Sequence, residues 1–243
     1  CPTNQNIIIM GNEKKTVTIH PTSNRALQQI DRFWKWFAAH EEALLNALRL
    51  GLDSEAVLYH FDQHLSGVSK RILCLIRIST DGATKSRIIF SAEGYRKLFP
   101  KILALELRAP RLVHFTVQAF IKPMDDKTDV YEGTDAPYEF DGYSLQISQL
   151  YVSLLDYDLS RKQLQVKIHI PEYEQLAYHD DLAFNLHFIV MELIGEIAYR
   201  KHVKRIVIGG MPSSDNGLVK LIALSDLIDG LYLGTPWKKT RTI

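Results

Sequence analysis

The sequence predicts an α+β fold, an antiparallel or mixed sheet with helices packed mainly on one face. Three observations carry this. Apolar residues recur at helical spacing in long segments near the start and again past residue 180. Strand-type runs pair as hairpins, near Ile72–Ser91 and near Leu150–Ile170. Each hairpin is followed by a helix and a returning strand, near 72–121 and near 150–209. Two halves thus share one order of elements, without obvious sequence similarity.

Residues 1–22 lack periodicity and form an N-terminal arm, with a short strand at Thr16 to His20. Residues 23–243 form a single α+β domain, its halves covering about 23–122 and 138–229. Ser23 is a good N-cap for a helix that runs to Leu50 and stops at Gly51. Its inward stripe is Leu27, Ile30, Trp34, Phe37, Ala38, Leu44, Leu45 and Leu48. Asp53 caps a second helix ending near Gly67, with Val57, Leu58, Phe61 and Leu65 inward.

Ile72 to Thr80 and Lys85 to Ser91 flank the Asp81-Gly82 turn signal as a hairpin. A helix follows from Glu93 to Leu107, and Pro100 either breaks it or starts a second segment. Val113 to Ile121 alternates as a strand. Residues 122–137 are a polar connection, and Tyr138 to Ile147 an edge strand broken at Gly142.

The second hairpin pairs Leu150–Asp158 with Gln163–Ile170. In the latter, Leu164, Val166, Ile168 and Ile170 face in, while Gln163, Gln165, Lys167 and His169 face out, so one sheet face is wet. A long helix spans Asp180 to Arg200 with Asp180 as its N-cap. Val203 to Gly209 is a buried strand, and Leu218 to Ile228 a last helix.

The 243 residues are 46% hydrophobic and 23% charged, which argues against global disorder. With 29 basic and 28 acidic residues the net charge is +1, so no nucleic-acid partner is expected. No run of about 18 apolar residues is present, and no membrane span is expected. A cytoplasmic location is expected. The alternative is a surface lipoprotein anchored through Cys1, which a natural start at Met10 would exclude. Cys74 lies in an apolar run and reads as a buried thiol.

Several short motifs occur in order: Phe33-Trp34-Lys35-Trp36-Phe37 followed by Glu41-Glu42, Ile89-Phe90-Ser91-Ala92-Glu93-Gly94, Ala109-Pro110, Gln118-Ala119-Phe120, and Glu192-Leu193-Ile194-Gly195-Glu196. Together they resemble a family of uncharacterised bacterial proteins, common in Bacteroidetes, with a Trp-x-Trp-Phe helix and a late Gly-Glu motif. The resemblance spans Phe33 to Leu227. It implies a soluble α+β protein and supplies no catalytic residues.

Two constellations are candidate sites. Phe33, Trp34, Trp36 and Phe37 do not share one face of a helix, so Trp34 or Trp36 anchors a partner, unless the cluster simply packs the core. Glu192 and Glu196 stand four apart on the expected helix face with Asp181, Asn185 and Arg200. Gly195 beside them lets a backbone or a ligand come close. They form either a carboxylate site or a solvated stripe with Glu196 paired to Arg200. His60 and His64 have a zinc-like spacing but no third ligand, so neither metal nor cofactor is expected. Gly209 to Asp215 matches no phosphate-binding loop.

The leading expectation is a non-enzymatic protein-binding or regulatory module, with a protein partner or a second copy of the chain. The rival is a small-molecule enzyme or ligand-binding protein using Glu192 and Glu196 near Gly195.

Overall fold

The computed structural model describes residues 22–50, 54–79, 84–214 and 217–234. Cys1, Met10, the strand expected at Thr16 to His20, Gly51, Asp53 and the turn expected at Asp81-Gly82 lie outside them. The chain divides into two compact units, residues 1–120 and 121–243. Each closes its own apolar cluster.

In the first unit, α1 (Asn24–Leu50) and α2 (Ser54–Val68) precede a three-stranded sheet. The Ser23 hydroxyl accepts the Ala26 N–H at 3.3 Å, as an N-cap should. The buried face of α1 is Ala26, Ile30, Phe33, Trp34, Phe37, Glu41, Leu44, Leu45 and Ala47. Phe33 therefore replaces Ala38 in the expected stripe, because the true stripe turns back at every third or fourth residue and reaches Glu41. On α2, Leu58 is exposed while Phe61 and Leu65 are buried.

The sheet order is β1-β2-β3, where β1 is Leu73–Arg77, β2 Ser86–Ser91 and β3 Phe115–Ala119. β1 and β2 are antiparallel, and β2 and β3 parallel. The crossover carries α3 (Phe99–Leu107), with Pro100 in its first turn. Proline starts this helix rather than breaking it, since an N–H at that position has no partner anyway. Val113, where the strand was expected to start, is exposed and lies before β3 begins.

The second unit opens with α4 (Thr128–Glu132) and a separate hairpin, β4 (Tyr138–Phe140) with β5 (Tyr143–Leu145). The hairpin corrects the expected edge strand. Asp141-Gly142 is a tight turn, with Gly142 at φ +83°, where a side chain is disfavoured. The main sheet has the order β8-β7-β6-β9: β6 is Tyr151–Asp158, β7 Gln163–Ile170, β8 Val203–Gly210 and β9 Leu218–Lys220. β9 corrects the start of the expected last helix. It pairs antiparallel with β6, and α8 (Leu224–Leu233) follows.

The shared order of elements extends to topology. In both units a hairpin is followed by a helical crossover, and the returning strand lies parallel to the second hairpin strand, β2 with β3 and β7 with β8.

Leu164, Val166, Ile168 and Ile170 of β7 are buried in one cluster with residues of α6 (Leu182–Ile194) and α8. On the opposite face, Gln163, Gln165 and Lys167 are half-buried, but His169 is only 2% exposed. Its Nδ1–H donates to the Gly210 carbonyl at 2.8 Å, leaving Nε2 to accept the Ser153 hydroxyl at 2.8 Å. That face is less wet than the alternation suggests, because a satisfied imidazole tolerates burial.

The expected long helix is two helices. After the short α5 (Tyr173–Leu176), α6 ends at Gly195, α7 (Glu196–His202) begins, and the axes bend by 108°. Among the described residues no single helix is long and apolar enough to cross a membrane.

Candidate functional site

Gly195 has φ +83° and ψ 144°, a conformation that suits glycine and ends the hydrogen-bond ladder of α6. The bend removes Glu192 and Glu196 from a common helix face and from solvent. Glu196 is 0% exposed and Glu192 is buried. The solvated-stripe alternative is therefore corrected.

Segment 121–124 of the same unit lies along the bend. The Ile121 N–H donates to Glu196 Oε2 at 3.2 Å, and the Glu196 N–H donates back to the Ile121 carbonyl at 2.8 Å. The Met124 N–H donates to the Glu192 carbonyl at 2.8 Å. A Cβ on Gly195 would stand 2.8 Å from Pro123 Cδ, so the close approach that glycine permits here is by backbone.

The rest of the polar stripe holds the β4–β5 hairpin. Tyr138 donates its hydroxyl to Glu192 at 3.2 Å. Asn185 donates to the Tyr143 hydroxyl at 2.7 Å and to Asp181 at 2.8 Å, and Tyr143 donates to Asp181 at 3.3 Å. Burial pushes the Tyr143 phenol up, so it stays a donor. Asp181, not Asp180, precedes α6, and its carboxylate serves this network instead of capping the helix. Glu192, buried, demands such a partner, whereas Asp181 is exposed. In the first unit Glu41 likewise accepts the Val113 and His114 N–H groups, and Glu106 accepts that of Ala119 at 3.0 Å.

The aromatic cluster separates into two environments. Trp34 is 3% exposed, donates its indole N–H to the Leu105 carbonyl at 2.9 Å, and packs on Phe33, Phe37 and Phe90. It belongs to the core. Trp36, two residues on, is half-buried. Its ring stacks on His40 and on His64, each with centroids 4.8 Å apart and planes within 17°. The His40 Nδ1–H donates to the Trp36 carbonyl at 2.8 Å, which fixes that ring one turn along. His64 reaches Trp36 from α2. Desolvation, then the like charges of His60 and His40, hold its pKa below the usual imidazole range.

Trp36 borders a groove of about 560 Å³ between α1 and α2. From α1 it is lined by Gln29, Arg32, Lys35, Trp36 and Ala39. Gln63, His64 and Gly67 complete it from α2. A Cβ on Gly67 would stand in ordinary contact with Gln29 Oε1, at 3.6 Å, so a larger side chain there would fill the groove.

Of the residues singled out from sequence, Glu192, Gly195 and Glu196 come together, but around the chain's own backbone. Trp34 and Trp36 part company. The partners of Trp36 were missed, although His40 stands four residues from it on the helix, a spacing that puts side chains in contact. Among the described residues no group of three or more His, Cys, Asp or Glu residues is placed to hold a metal. Desolvation pushes the Cys74 thiol well above its ordinary range, so it is a poor nucleophile.

No protein-family model, curated protein or solved structure matches the chain.

Proposed function

We propose that this protein is a non-enzymatic binding module that engages a protein partner, or a second copy of itself, through the Trp36 face of α1 and α2. One observation carries the reading: Trp36 keeps part of its ring in solvent at the edge of a groove, while Phe33, Trp34 and Phe37 are buried. A large aromatic held by its neighbours loses little side-chain entropy on binding, which is why tryptophan is enriched among the residues that dominate interface energies. The Glu192–Gly195–Glu196 bend offers less support for the rival enzyme reading, since residues 121–124 lie against it. With the binding reading go two further proposals: membership of the resembled bacterial family, and work in the cytoplasm.

The test compares the full chain with Trp36→Ala and Gly67→Leu in sedimentation and in capture of a binding partner. Loss of self-association or capture in both variants, with circular dichroism unchanged, supports the reading. Truncating a central aromatic anchor weakens binding by about 2 kcal/mol or more, roughly thirtyfold. Full retention in both variants overturns it.

A further inference from the structure

We propose that the groove beside Trp36 takes an acidic peptide segment of a partner, whose carboxylates meet Arg32 and Lys35. This inference rests on the binding-module reading above and adds the chemistry of the partner.

The groove is one-sided in charge. Arg32 and Lys35 stand three apart on α1, both exposed and both lining it, and among the described residues no Asp or Glu lines it. Among the described residues neither cation makes an ion pair. By contrast Arg108, on the same unit, is paired with Asp31 at 2.7 Å.

The groove is also rich in donors. Among the described residues the Trp36 indole N–H has no hydrogen-bond partner, unlike that of Trp34. A guanidinium offers five N–H groups and an ammonium three, with no acceptor. A carboxylate accepts from all three kinds of donor at once. A basic segment would meet two like charges. A purely apolar segment would desolvate both cations without replacing their water. The half-buried Trp36 supplies contact for one apolar side chain between the acids.

The test is fluorescence anisotropy of labelled synthetic peptides on the full chain. One peptide carries Glu and Asp around a single Leu, the second has Gln and Asn in their place, and the third has Lys. The acidic peptide is expected to bind about tenfold or more tighter than its amide counterpart, a difference of ~1.4 kcal/mol. Raising ionic strength from about 0.05 to about 0.5 M should remove most of that preference, since the Debye length then falls below the reach of exposed pairs. The double variant Arg32→Glu with Lys35→Glu should bind the Lys peptide instead, a gain that unfolding cannot mimic.

Equal binding of acidic and amide peptides, both lost in Trp36→Ala, overturns the charge assignment and leaves the Trp36 reading standing. Peptide binding untouched by Trp36→Ala removes the Trp36 reading itself. Failure of the acidic peptide to bind, or preference for a single-stranded oligonucleotide, also overturns the inference.

Discussion

Replacing Gly195 by alanine tests whether the bend between α6 and α7 is fixed by backbone packing. Two costs add. An L-residue at φ +83°, ψ 144° sits in a region almost reserved for glycine, at about 1–3 kcal/mol. The new Cβ would also stand 2.8 Å from Pro123 Cδ and 3.0 Å from Pro123 N, inside ordinary contact. Relieving such crowding costs about 1–3 kcal/mol more. The sum, about 2–6 kcal/mol, is large beside the ~5–15 kcal/mol of a typical domain. In urea unfolding with a slope of about 2 kcal/mol per M, the midpoint falls by about 1–3 M. Gly133→Ala is the control. Gly133 has φ +77°, and a Cβ there would meet nothing within 4 Å, so only conformational strain applies. If Gly195→Ala costs no more than Gly133→Ala, the contact with Pro123 does not hold the bend, and the reasoning fails.

The two tryptophans predict unequal stability effects. Trp34→Ala should cost about 3–5 kcal/mol, as for a buried aromatic, whereas Trp36→Ala should cost less than about 1 kcal/mol; denaturant titration of both checks this. Glu196→Gln keeps the shape but removes the charge that accepts the Ile121 N–H. Hydrogen exchange at Ile121 should accelerate, while exchange in β7 should not. His64, His169, His187 and His202 all have pKa values lowered first by desolvation. The unfolded chain therefore binds more protons than the folded one below about pH 6.5, so stability present at neutral pH is lost as pH falls through the lowered folded values. Thermal melts between about pH 8 and about pH 5 should show the midpoint falling toward acid, and a flat or rising profile would contradict those shifts.

Much of the fold is legible in the sequence because side-chain periodicity reports directly on burial. Leu164, Val166, Ile168 and Ile170 alternate without exception, and the structure buries all four. The unread features depend on contacts distant in sequence. Nothing near Gly195 announces that Pro123 will lie against it. A continuous apolar pattern across 182–199 suits one helix as well as two set at 108°. Leu218 to Lys220 joins β6 because Ser153 and its neighbours offer an edge some 65 residues away, which local propensity does not record. The site is half legible for the same reason. The aromatic run on α1 marks the region, but only the tertiary fold decides that Trp34 meets Leu105 and Trp36 meets His64.

The indole N–H signals of the labelled protein report on Trp34 and Trp36, beside Trp237, in one spectrum. On titration with the acidic peptide, the Trp36 signal should move while that of Trp34, bonded to the Leu105 carbonyl, stays in place. A stationary Trp36 signal in the presence of bound peptide, or a shift confined to Trp34, would contradict recognition at the α1–α2 groove.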